Sequence, residues 1–190
     1  MSAATDLSID HETLVARARA LQPALRERVS ATAAARKLTD ETVADFVEAG
    51  FWRMLQPRRW GGLEVHPNTF FEVQMTVAEA CPSSAWVLGV VAVHNWQLAL
   101  FDDQAQQDVW GQDPGTRISS SYAPTGRVER VDGGFRISGR WSFSSGCDHC
   151  EWVFLGGFAP VTEGPPDMRT FLVPRADYVI DHNWNTIALK

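Results

Sequence analysis

Two clusters of hydroxyl side chains, Ser119-Ser120-Ser121 and Ser144-Ser145, each stand next to an aromatic residue, Tyr122 and Phe143. Hydroxyls and backbone amides beside aromatic walls can hold a flat ligand with polar edges. The competing reading is that these serines cap turns and line a solvated sheet face. Between the clusters, Val128 and Val131 precede Asp132-Gly133-Gly134, and Phe135 and Ile137 follow. Asp-Gly between two alternating runs is a hairpin signal. The pattern assigns both clusters to strands of one small sheet, side by side. Period-two alternation then puts Ser120 and Tyr122 on one face, and Phe143 and Ser145 likewise.

Two other groups could do chemistry. His94 interrupts an apolar run two helical turns after Trp86, broadly on the same side. It reads either as a core histidine satisfied by one hydrogen bond or as a titratable group facing a pocket. Cys147, His149 and Cys150 have donor atoms, but a closed zinc site needs a fourth ligand and usually a second pair, which the chain lacks. No metal is expected, and an odd count of three cysteines implies no disulfide framework.

The elements that must position these residues fall into two blocks. Residues 9–36 have Leu14, Ala18, Leu21, Leu25 and Val29 at helical spacing, with Pro23 as an expected kink or break. Thr39 predicts the N-cap of a helix over 40–49 that Gly50 closes. Pro67 opens a helix over 66–80. Ser83 or Ser84 caps another, running to about Leu100; it is apolar nearly all round and so expected at the centre of its domain. A short helix follows from Asp102-Asp103 to Trp110. After Pro114-Gly115 the pattern alternates, with candidate strands at 117–122, 126–131, 135–144, 151–158, 169–173 and 178–181. The predicted fold class is α+β: a helical domain over 1–115, then an antiparallel β-domain over 116–190. The stretch 184–190 ends without turn or cap, in what could be another strand, and such a sheet would expose an apolar face.

Composition narrows the function classes. Apolar residues make up 45% and charged residues 21%, as in globular proteins. A net charge of −6 disfavours a generic nucleic-acid binder. The longest apolar run is too short to span a bilayer, and the N-terminus has no signal-peptide pattern, so no membrane partner and a cytoplasmic location are expected. Eight tryptophans suggest large apolar cavities or interfaces.

The order of helices then strands, with GGFRISGRWSFSSG, resembles the acyl-CoA dehydrogenase superfamily. Within it, LQPRRWGG (residues 55–62), VHNWQLALFD (93–102), RISSSYAP and WSFSSGCDH resemble the oxygenase components of two-component flavin-dependent monooxygenases, nearest to the 3-hydroxy-9,10-secosteroid hydroxylase type. The resemblance covers nearly all of the chain after residue 10. It implies a C-terminal helical bundle that this chain lacks, and a homo-tetramer for the full-length protein. It also implies hydroxylation of a phenolic or polycyclic, steroid-like aromatic substrate with O2 and reduced flavin (FMN or FAD) supplied by a separate flavin reductase.

Carried over by position, Trp86 packs beside the isoalloxazine, Ser120, Ser121 and Tyr122 line its edge, and Phe143, Ser144 and Ser145 line it from another strand, with Ser145 near N5. His94 faces the substrate phenol, so His94 and Ser145 are the implied catalytic residues. True dehydrogenases share the layout but usually carry Thr-Glu and Gly-Ser where Tyr122 is followed by Ala123-Pro124-Thr125-Gly126-Arg127, and Trp-Ile-Thr where this chain has Phe143-Ser144-Ser145. An acyl-CoA dehydrogenase-type flavoenzyme, or a non-catalytic fragment of either, is the alternative.

Overall fold

The computed structural model describes residues 9–183. The helices are α1 (His11–Glu27), α2 (Val29–Ala35), α3 (Asp40–Glu48), α4 (Pro67–Ala78), α5 (Pro82–Leu98) and α6 (Asp103–Trp110). The strands are β1 (Ile118–Val131), β2 (Gly134–Ser138), β3 (Trp152–Ala159) and β4 (Asp167–Pro174).

Local chemistry explains several helix starts. Asp10 caps α1 by accepting from the Thr13 N–H at 2.8 Å, and Thr39 caps α3 by accepting from the Thr42 N–H at 3.3 Å. Pro23 does not break α1. The break falls at Arg28, whose guanidinium reaches across to Asp45 on α3 at 2.5 Å. The expected serine cap of α5 is also displaced: Cys81 is the N-cap and Pro82 the first helical residue, where a missing N–H costs nothing.

Helix α5 is not interior all round. Val87, Leu88, Val91 and Leu98 are buried, while Trp86 and Trp96 are exposed among the described residues. Its polar residues are held from outside the helix: Asn95 donates to the Trp52 carbonyl at 2.7 Å.

The sheet has the order β2-β1-β3-β4. The expected Asp132-Gly133 hairpin joins β1 to β2, with Val131 opposite Gly134 and Gly133 at φ +80°. The two strands expected at 117–122 and 126–131 are one long strand, whose pairing with β3 shifts between Ser121 and Gly126. No strand forms at 178–181, and residues 184–190 lie outside the described residues.

The expectation of an antiparallel sheet needs correction, because β1 and β3 run parallel. A hairpin can only join antiparallel neighbours; parallel neighbours need a crossover of about a dozen residues or more. Here the crossover is 139–151. It returns the chain to the start of β1, where Arg117 clamps it: the Arg117 carbonyl accepts from the N–H groups of Glu151 (3.1 Å) and Trp152 (3.3 Å), and its Nη2 meets Glu151 at 3.1 Å.

A main core joins α1 to α5, and a second cluster of Leu98, Val109, Trp110, Ile118 and Phe154 ties the last helices to the sheet. Phe154 is fully buried, stacked on Phe101 with ring centroids 5.2 Å apart. Phe154→Ala should therefore lower unfolding free energy by about 3–5 kcal/mol. Urea denaturation should show the helical and near-ultraviolet signals shifting together; a shift in one signal only would mean that this cluster does not couple the two halves.

Candidate active site

The crossover carries the second serine cluster, so Phe143, Ser144 and Ser145 are not strand residues. The helical and sheet halves meet around it. Phe143 adopts φ +64°, which breaks the period-two pattern, and its ring is exposed. Gly146 adopts φ +77°, and a Cβ there would come within 2.8 Å of Val91 and 2.9 Å of Val87. Only glycine allows both that backbone and that approach to α5. Trp141 supports the preceding turn by donating to the Gly156 carbonyl at 2.9 Å; its ring lies where a side chain on Gly126 would meet it at 2.1 Å.

Strand β1 divides the first cluster. Ser119 and Ser121 pair in register with Val153 and Leu155, while Ser120 pairs with Phe154. Ser121 donates to the Ser142 carbonyl at 2.6 Å, linking the strand to the crossover. Ser120 and Tyr122 share the opposite face, as alternation required. The three residues therefore do not present themselves to one ligand from the same side.

An open cleft of about 1410 Å³ lies between α5, the crossover and the sheet. Trp86, Ser121, Phe143, Ser144 and Ser145 line it, with Val153, Leu155 and Val173 as an apolar floor. Arg36, Lys37 and Arg140 stand among its polar residues. Trp86 Nε1–H donates to Ser145 Oγ at 3.0 Å, bridging α5 and the crossover. Ser144 Oγ is buried with no hydrogen-bond partner among the described residues. A buried unpaired hydroxyl is costly, and a polar-edged ligand in this cleft would relieve it. The residues present fit a flavin ring in that respect: apolar walls, plus hydroxyls at one edge.

His94 is not among the residues lining the cleft. It is 2% exposed, and its Nδ1 lies 2.6 Å from the Ile118 carbonyl. A carbonyl only accepts, so Nδ1 carries the proton and Nε2 keeps its lone pair. The ring packs edge-on to Tyr122 (centroids 6.1 Å apart) and Phe154 (5.7 Å). The same-side expectation for Trp86 and His94 fails because eight residues rotate a helix about 80° beyond two full turns. Trp86 serves the cleft and His94 the Tyr122 face. Tyr122 in turn donates to Gln97 Oε1, and burial raises its pKa. Gln97 escaped the sequence reading; its signal was its place one turn beyond His94. Trp141 and Gly146 were missed too, since their roles depend on contacts distant in sequence.

Cys147 and Cys150 are held in the thiol form. Burial pushes Cys147 up to about 11 and Cys150 well above the usual thiol value, so neither is a thiolate at neutral pH.

Comparison with known proteins turns the resemblance into a finding. No protein-family model matches the chain. The oxygenase subunit HsaA of a flavin-dependent monooxygenase from Mycobacterium tuberculosis is 47% identical over 181 residues, 95% of this chain and 46% of that protein. Its crystal structure superposes with a TM-score of 0.91, over 95% of this chain and 50% of that one. Over nearly its whole length the chain is similar to the oxygenase components of flavin-dependent monooxygenases. The oxygenase component of p-hydroxyphenylacetate 3-hydroxylase from Acinetobacter baumannii is 35% identical over 168 residues, 88% of this chain and 40% of that one. XiaF from Streptomyces, in complex with FADH2 and glycerol, gives a TM-score of 0.87 at 28% identity, over 94% of this chain and 46% of that one. The chain thus spans about half the length of the monooxygenase components it matches.

Burial holds the His94 pKa down to about 4, from an ordinary 6.5. The native state stays neutral over a range where the unfolded chain already takes up a proton. The fold is thus fully stable above the unfolded value and loses stability as pH falls from 6.5 toward 4, by about 3 kcal/mol from this residue alone. Urea midpoints for wild type and His94→Gln, compared at neutral pH and near the lower limit, should converge as pH falls. Parallel pH profiles would show that His94 titrates normally.

Proposed function

We propose that the protein carrying this chain is the oxygenase component of a two-component monooxygenase, hydroxylating a phenolic or polycyclic, steroid-like aromatic compound with O2 and reduced flavin, FMN or FAD. The observation that carries this reading is the convergence of Trp86, Ser121, Ser144 and Ser145 on one cleft, in a chain so similar to a flavin-dependent oxygenase subunit. As part of the same proposal, a separate flavin reductase supplies the cofactor, and the full protein works in the cytoplasm as a homo-tetramer. Among the described residues no helix is long and apolar enough to cross a membrane.

When bound, reduced flavin supplies the activation of oxygen for transfer to the aromatic ring. The chain's own residues have the remaining tasks. Trp86, Phe143 and the valine and leucine floor exclude water from the ring. Ser145 would offer a hydroxyl to the flavin's polar edge, in the region of N5, and Ser144 would add a second; Ser121, whose proton goes to the Ser142 carbonyl, would only accept. Ser120 and Tyr122 belong to the opposite face of β1, where Tyr122, Gln97 and His94 form a second polar group.

His94 is the phenol-facing residue in this proposal. Its proton is fixed on Nδ1, so Nε2 is an acceptor for a phenolic O–H, and phenolate is the better nucleophile toward activated oxygen. Its depressed pKa keeps it neutral and able to accept near pH 7. In His94→Ala protein shown to be folded, the ratio of hydroxylated product to released hydrogen peroxide should drop by about 10²-fold while flavin binding persists. An unchanged ratio would leave His94 a structural residue of the helix–sheet seam.

No nucleotide fingerprint such as Gly-x-Gly-x-x-Gly occurs in the chain, in keeping with a flavin that arrives reduced and leaves oxidised. Anaerobic titration should therefore give tighter binding of reduced than of oxidised flavin. Equal affinities would count against the two-component reading, and a response to acyl-CoA in place of a phenol would favour a dehydrogenase.

A further inference from the structure

Trp86 and Ser145 are joined across the cleft by a single hydrogen bond of 3.0 Å, indole to hydroxyl. We infer that Trp86 is a positioning residue: it orients the Ser145 hydroxyl so that its proton is offered to the ligand. This rests on the flavin reading above and goes beyond the wall-forming role that the indole ring has there.

The argument is one of donor and acceptor supply. An indole N–H can only donate, and a serine hydroxyl has one proton and two lone pairs. With one lone pair of Ser145 taken by Trp86, the hydroxyl proton cannot point at the indole and must turn elsewhere. The backbone beneath it is already fixed. Cys147 N–H donates to the Ser144 carbonyl at 3.2 Å, His149 N–H donates to the Gly146 carbonyl at 3.0 Å, and Gly146 is seated against Val87 and Val91. The backbone sets the Ser145 Cβ and the indole sets its Oγ, so only the O–H rotor remains, and both residues line the cleft. In reduced flavin N5 carries a hydrogen, so the acceptor at that edge is the neighbouring ring carbonyl oxygen, which an oriented donor fits. The same bond ties α5 to the crossover, so one contact both closes the seam and polarises the hydroxyl.

The test has two readings. In the whole protein labelled with 15N-tryptophan, the Trp86 indole N–H resonance, identified by its loss in Trp86→Phe, should shift in Ser145→Ala and persist when reduced FMN is added without oxygen. Reduced-FMN affinity is then compared in wild type, Trp86→Phe, Ser145→Ala and the double variant. Trp86→Phe, which keeps an aromatic ring and removes the N–H, should weaken binding about tenfold in the wild-type background, and should have no effect when Ser145 is already alanine. An indole resonance indifferent to Ser145→Ala overturns the inference, as does an equal loss from Trp86→Phe in both backgrounds, the mark of ring packing alone. Ser145→Ala that shifts the indole but leaves flavin affinity unchanged overturns the flavin role of Ser145 itself, and the inference with it.

Discussion

The parallel pairing of β1 and β3 is the constraint on which the rest depends. It cannot be met by a tight turn, so the chain must leave β2 and travel back to the start of β1 before β3 can begin. The returning segment is the one that carries Trp141, Phe143, Ser144 and Ser145. It also passes over α5, where Gly146 settles between Val87 and Val91. The site is thus a by-product of topology: a connection forced by strand direction is pressed against a helix, and polar groups from three elements meet there.

The clamp at Arg117 shows how that return is secured. Its carbonyl, backbone N–H and guanidinium all engage the segment 149–152, with Nε donating to the His149 carbonyl at 2.5 Å and the N–H to the Glu151 carboxylate at 2.8 Å. These contacts fix where β3 starts relative to β1, and hence which residues of the two strands lie side by side. A one-residue slip would exchange the faces of Ser120 and Ser121. Register at this clamp therefore decides which serines face the cleft.

The seam separates two kinds of polar residue. On the cleft side, hydroxyls stand beside open space, and the Ser144 hydroxyl has no hydrogen-bond partner among the described residues. On the other side, His94 is held by the Ile118 carbonyl and Tyr122 by Gln97, beside the second core cluster. His94 stabilises the seam only while neutral, so the same burial that makes it a fixed acceptor makes the fold sensitive to acid.

Much of this was legible in the residues themselves. The Thr39 cap, the Asp132-Gly133 turn, the change from helical to alternating pattern and the motif resemblance all depend on neighbours within a few positions, where side-chain chemistry and backbone preference act directly. The sequence alone therefore determined most of the helices, the hairpin, the order of a helical block before a sheet and the resemblance, but not the extent of every strand. It did not determine that β1 and β3 are parallel, that Phe143 leaves the strand conformation, or that Trp86 and His94 serve different faces of the seam. Those outcomes turn on long-range contacts: Arg117 with Glu151, Gly146 with Val87 and Val91, Trp86 with Ser145. Local preference is nearly silent about such contacts, because their energy appears only once distant segments are packed. Tertiary structure alone decided which hydroxyls share a cleft.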